Sequence, residues 1–154
     1  MRENKFRGKV IGKQEELEAM GVIDKNGWAT GNLIQNEQHT MIVGDLLEFD
    51  DEDMICDWWV PVIPESVGQY TGLKDKNDVE ICEGDVVLIE SRFLGTWAKS
   101  EVTWGGPNYP AFDIPKFDGD VMNGFSAIAY TDYGETLKVI GNIHDNQELL
   151  EVNK

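Results

Sequence analysis

Two histidines, two cysteines and a dense set of carboxylates are the residues of this chain that could do chemistry. His39 sits in the polar run Asn36-Glu37-Gln38-His39-Thr40, and His144 lies just ahead of the last segment with helical character. Nucleophilic catalysis needs one of them beside an activated thiol or hydroxyl. Cys82 with His144 is a conceivable pair, but neither sits in a sequence context that supports it. Both histidines read as solvated or capping residues. Cys56 and Cys82 are far apart and show no C-x-x-C spacing, so they point to two buried thiols rather than a zinc site or a disulfide framework. The run Glu48-Phe49-Asp50-Asp51-Glu52-Asp53 lacks the alternating ligands, the bend glycine and the distant Glu of a calcium loop. It reads as a solvated acidic loop, with Asp50, Asp51, Glu52 and Asp53 as a candidate partner-facing patch. With 29 acidic residues, a carboxylate pair for acid–base work can be picked anywhere, so no pair stands out. The expectation is a chain with no catalytic, metal or cofactor site, hence not an enzyme.

The stretch VGQYTGLKDKNDVEICEGDVV, residues 67–87, looks busier but has a plain structural meaning. It lacks the glycine spacing and the Lys-Ser/Thr ending of a phosphate-cradling loop. Gly72 is placed for a positive φ, Gly84 for a backbone reversal, and Asp85 to accept a bond from a neighbouring N–H. These three are expected to be structural turn residues. Asp78 closes the polar turn Lys74-Asp75-Lys76-Asn77-Asp78.

Composition narrows the function further. The 154 residues carry 13 basic against 29 acidic side chains, a formal charge of −16. Such a chain repels phosphate, so ordinary nucleic-acid binding is not expected. No apolar run is long enough to span a bilayer, and the basic start MRENKFRGKV is not followed by an apolar segment. No membrane association is expected, and the expected location is the cytoplasm. The charge is uneven. Arg2, Lys5, Arg7, Lys9 and Lys13 crowd the start, whereas Asn26 to Leu73 contains no Lys or Arg. Attraction between these regions, within or between chains, follows.

The elements that must position these residues are short and mostly extended. NKFRGKVI reads as a strand, and Gln14 to Met20 as two helical turns stopped by Gly21. Asn26-Gly27 signals a two-residue hairpin, and Gly31 a bulge or close backbone approach. TMIVGDLLEF is expected as one strand bulged at Gly44, and MICDWWVPVI as an extended segment at an edge near Pro61. Trp58 and Trp59 are adjacent, so on a strand they face opposite sides. One should enter the core, leaving the other exposed or covered by another chain. Pro64 to Val67 is a turn or single helical turn. VEIC, VVLIES, GFSAIAYT and ETLKVIGNIHD read as strands, and DNQELLEV as a short helix capped by Asp145 or Asn146. No internal repeat is evident. Short strands with little helix predict a mainly β barrel or sandwich with one or two short helices.

GQYTGLKDKN, EICEGDVV and VIGNIHDNQELL, in this order, resemble the YopX family of phage and prophage proteins, as do RENKFRGK and GWATGNLI. The resemblance implies a β-rich fold with a part similar to an SH3-type barrel, and assembly into homo-oligomers. It implies no biochemical activity. It puts the SH3-like barrel over residues 60–154 and a smaller β subdomain over 1–59. Asp78 stands where the family usually has Gly, Cys82 where it has an aromatic, and Gln147 where it has Pro. The expected function is that of a non-enzymatic phage or prophage accessory protein in the bacterial cytoplasm. It would act through self-assembly and contact with a host or phage protein, with Trp58, Trp59 and Asp50 to Asp53 as the candidate surface. The alternative is an acidic decoy that mimics DNA charge and occupies a nucleic-acid-binding host protein.

Overall fold

A computed structural model describes residues 3–91, 95–106, 109–114 and 135–151. The chain is mainly β, as expected, with thirteen strands, one six-residue helix and two 3-10 turns among these residues. It divides into two units, Met1–Tyr70 and Thr71–Lys154. The division falls inside the strand Gly68–Lys74, whereas the sequence reading draws it before Val60.

The first unit contains β1 (Phe6–Lys9), α1 (Gln14–Ala19), β2 (Trp28–Gln35), β3 (Thr40–Val43), β4 (Leu46–Phe49), β5 (Met54–Cys56) and β6 (Trp59–Pro61). A 3-10 turn, Pro64–Ser66, leads into β7 (Gly68–Lys74). The strand order is β6-β3-β2-β1-β7, and the pairs β1–β2, β1–β7, β2–β3 and β3–β6 are antiparallel. Val10, Val22, Ile23, Ala29, Ile42, Val60 and Val62 form the core, with Phe6, Leu17 and Trp58 packed on it. Gly31 shows the close approach expected of it. A Cβ there would lie well inside contact distance of the Val43 carbonyl oxygen. β1 is an interior strand, and its cations lie over rings of the same unit. Lys5 Nζ is 5.5 Å from the Tyr70 ring centre, and the Arg7 guanidinium is 5.0 Å from that of Trp28.

Two expected elements are broken rather than continuous. TMIVGDLLEF forms β3 and β4 with a bend at Gly44-Asp45, and MICDWWVPVI forms β5 and β6 with a bend at Asp57-Trp58. The ladder carries through the bend. Gly44 N–H donates to Trp58 O at 2.8 Å, and Asp57 N–H to Asp45 O at 2.8 Å. Residue 44 has to be glycine for this packing: the Trp58 indole occupies the space a side chain there would need, with its Nε1 2.6 Å from an ideal Cβ.

The second unit holds the far end of β7, which pairs with β8 (Glu80–Cys82), then β9 (Asp85–Ser91), β10 (Gly95–Glu101), β11 (Thr103–Gly106), β12 (Tyr109–Asp113) and β13 (Glu135–Asn142). β9 lies between β10 and β13, antiparallel to both, and β11 pairs with β12. Ile81, Val87, Ile89, Val102 and Ile114 form its core. Among the described residues no sheet is seen to close into a barrel. The strand expected over GFSAIAYT lies outside the described residues.

One turn geometry occurs twice. Asp24-Lys25-Asn26-Gly27 and Asp75-Lys76-Asn77-Asp78 fold alike. Asp24 N–H donates to Trp28 O at 3.0 Å, and Asp24 Oδ1 accepts from Asn26 and Trp28 N–H at 2.8 and 3.0 Å. Asp75 N–H donates to Val79 O at 2.8 Å, and Asp75 Oδ1 accepts from Asn77 and Val79 N–H at 2.8 and 3.0 Å. Gly27 takes φ 84° and Asp78, at the same place, φ 64°. The expected two-residue Asn-Gly hairpin is therefore a three-residue loop. A two-residue type I′ turn needs positive φ at both centres, and Asn26 does not adopt it. The last helix is corrected too. Gln147–Leu150 is a 3-10 turn without a side-chain cap, and Asn146 Oδ1 instead accepts from Asn142 N–H at 3.3 Å.

Candidate interaction surface

Antiparallel sheets usually bury one face and wet the other. The β2–β3–β6 part of the first unit is apolar on both. Cross-strand partners share a face, and the registers Ile34↔Met41 and Val43↔Trp59 put these four side chains together. Ile42 and Val60, one residue along, point into the core. On this outer face Ile34 and Trp59 are exposed, Met41 is half-buried and Val43 is buried. Trp59 is 63% exposed.

Beyond the bend, β4 and β5 form a two-stranded arm that extends this outer face. Phe49 pairs with Met54 and Leu46 with Cys56, while Ile55 pairs with Glu48 on the reverse side; Leu47 is the extra residue at a bulge. All four residues of β4 are exposed, and Phe49 is 74% so. A two-stranded hairpin is marginal in water unless something packs on it, and this one offers apolar groups on both faces. Met54 and Cys56 of the arm meet Ile34, Met41, Val43 and Trp59 of the sheet around an open pocket of about 210 Å³. That is smaller than the roughly 300–1,000 Å³ of cofactor and ligand sites and suits one inserted side chain.

The acidic run caps the arm. Asp50 N–H donates to Asp53 O at 3.0 Å, and Asp50 Oδ1 accepts from Glu52 and Asp53 N–H at 2.8 and 2.7 Å. These two donors, Glu52 first, hold the Asp50 carboxyl below its usual range against a small opposing effect of burial. Asp50 therefore closes the turn, leaving Asp51, Glu52 and Asp53 as exposed charges at the tip. Trp58 is half-buried against the core and Trp59 stands on the outer face, the opposition that adjacent strand positions require.

The other candidates lie elsewhere and are tied into backbone. Gly72 and Gly84 take φ 86° and 87°. Asp85 is 1% exposed and accepts from Cys82 N–H at 2.8 Å. His39 closes the Asn36 turn through its backbone N–H, 2.8 Å from Asn36 Oδ1. Cys56 and Cys82 are free thiols, the first half-buried and the second buried. Among the described residues no group of three His, Cys, Asp or Glu side chains is placed to hold a metal ion, and no helix is long and apolar enough to cross a membrane.

Sequence reasoning missed Ile34, Met41, Val43, Leu46, Phe49 and Met54. The signal was there. Leu33-Ile34, Met41-Ile42-Val43 and Trp59-Val60 are consecutive apolar residues on strands that alternate sides, the mark of a sheet apolar on both faces.

A crystal structure titled protein EF1440 from Enterococcus faecalis has a similar fold, with a TM-score of 0.58 and 24% identity, over 98% of this chain and 100% of that one. No functionally curated protein matches the chain. The family model described as YopX protein matches residues 5–151, and with nearly the whole length covered the chain belongs to the YopX family.

Proposed function

We propose that this is a non-enzymatic phage or prophage accessory protein, working in the bacterial cytoplasm through protein–protein contact, including contact with further copies of itself. The observation that carries the reading is the set of exposed apolar side chains on the outer face of the first unit, Ile34 and Trp59 on the sheet and Phe49 and Met54 on the arm. Contiguous exposed apolar surface rimmed by polar groups is the usual mark of an interaction site. Aromatic and methionine side chains are also the types enriched in such interfaces. An SH3-like barrel over residues 60–154 is part of the same proposal, supported by the antiparallel β10-β9-β13 sheet, and adds no site to it. The DNA-decoy reading fits less well, because the acidic run Asp50 to Asp53 is flanked on both sides by exposed apolar side chains, Leu46, Leu47 and Phe49 before it and Met54 and Ile55 after it.

The test is affinity purification from a lysogenic or infected host, comparing the natural chain with a Phe49→Ser, Trp59→Ser double variant. A defined protein, or additional copies of the chain, should co-purify with the first and be lost with the second. A monomer with no companion in both preparations sinks the proposal.

A further inference from the structure

We infer that the occupant of this outer face is a cationic segment of another protein, an extended stretch bearing Lys or Arg beside one large apolar side chain. The inference rests on the reading of the face as an interaction surface and adds the chemistry of what sits there.

Charge complementarity selects the occupant. Between Asp45 and Asp57 the arm carries Asp45, Glu48, Asp50, Asp51, Glu52, Asp53 and Asp57, and no Lys or Arg. None of the seven carboxylates is in an ion pair among the described residues. The apolar groups between them are exposed, so an occupant buries Phe49, Met54 and Trp59 while its cations meet carboxylates on the rim. A second copy of the chain is a poor match. It would bring the same seven carboxylates and a net charge of −16, and like charges brought together at an interface oppose binding. Its basic N-terminal strand is already an interior strand, bonded to β2 on one side and β7 on the other. The pocket of about 210 Å³ receives one leucine- or phenylalanine-sized side chain, which sets the register of the bound segment.

Cys56 supplies the readout, since it lines the pocket whereas Cys82 is buried. The full chain is alkylated with iodoacetamide, and modification of Cys56 is followed by mass spectrometry. The probes are a synthetic peptide alternating lysine with phenylalanine, its glutamate-for-lysine analogue and its serine-for-phenylalanine analogue. The lysine–phenylalanine peptide should slow alkylation several-fold at low salt and progressively less as salt rises. Neither analogue should do so. An Asp51→Asn, Glu52→Gln, Asp53→Asn, Asp57→Asn variant should lose most of the protection with an unchanged circular dichroism spectrum. Asp50 is kept because it closes the turn. Equal protection by the glutamate analogue, or full protection in the neutralised variant, overturns the cationic occupant. Equal protection by the serine analogue overturns the apolar anchor. Protection that grows with protein concentration in the absence of peptide assigns the face to a second copy, which defeats this inference while leaving the interaction reading standing. No protection in any arm overturns the cationic occupant and leaves the co-purification comparison to decide the interaction reading.

Discussion

Asp78 is the described non-glycine residue with a positive φ, 64°, at the position that Gly27 fills in the sister turn. A side chain there is strained, and the ion pair it makes with Lys74 at 3.3 Å is exposed and adds little. Asp78→Gly should therefore raise stability, by about 0.5–1 kcal/mol after the extra freedom glycine gives the unfolded chain; urea denaturation measures it. Asp75 does more than its twin Asp24. Its second carboxylate oxygen accepts from Val139 N–H at 2.8 Å, so one side chain closes the turn and fastens it to β13. Burial raises its pKa, but the N–H groups of Val139, Val79 and Asn77 and the charge of Lys76 outweigh that, leaving it below 3.8. The sign follows from linkage. A carboxylate with a lowered folded pKa stabilises the protein above its unfolded value, and this contribution disappears as pH falls through the folded one. Asp75→Asn should cost about 1–3 kcal/mol at neutral pH, the range for buried donors left unsatisfied. It should also flatten the loss of stability below about pH 4, which denaturation curves across pH will show.

The arm is where elements matter. It exists because a long hairpin bends at Gly44-Asp45 and Asp57-Trp58, with the Trp58 ring seated over Gly44. The two adjacent tryptophans therefore have different energetic roles. Trp58→Ser should destabilise by about 2–4 kcal/mol through lost core packing, while Trp59→Ser, on the open face, should change stability by about 0.5 kcal/mol or less. Thermal and urea unfolding of the two single variants checks the contrast, and equal losses would mean that Trp59 is covered within the monomer. Gly31→Ala puts a methyl group against the Val43 carbonyl oxygen, backbone against backbone across β2 and β3. With nothing flexible to yield, it should cost about 2–3 kcal/mol, in the range of overpacking, and loosen amide-exchange protection of β3. That close approach was legible in the sequence, as a glycine interrupting a strand. A break at Gly44 was legible in the same way, but the seating of the Trp58 ring over it was not, because that contact joins residues that only the hairpin brings together.

At the scale of the whole molecule, charge and the apolar face act against each other. A net charge of −16 opposes the approach of further copies at neutral pH, and the sequence pI is about 4.3. As pH falls toward that value the repulsion fades while the exposed face remains. Light scattering should show association rising toward pH 4.3, and the Phe49→Ser, Trp59→Ser variant should associate markedly less. Equal association in both would remove the face from this behaviour.

Mainly β character, the short helix from Gln14, the glycine turns and the opposed tryptophans follow from the sequence, because backbone preference, side-chain alternation and left-handed φ are properties of a few neighbouring residues. Family membership follows as well, from ordered motifs spread along the chain. What stands opposite each strand does not. The pocket on the outer face of β2, β3 and β6 forms only because Ile34, Met41, Val43 and Trp59, distant in the chain, fall on one side of paired strands and meet the arm's Met54 and Cys56. Register and the bend at Gly44 decide that, and both are fixed by contacts between segments rather than within them.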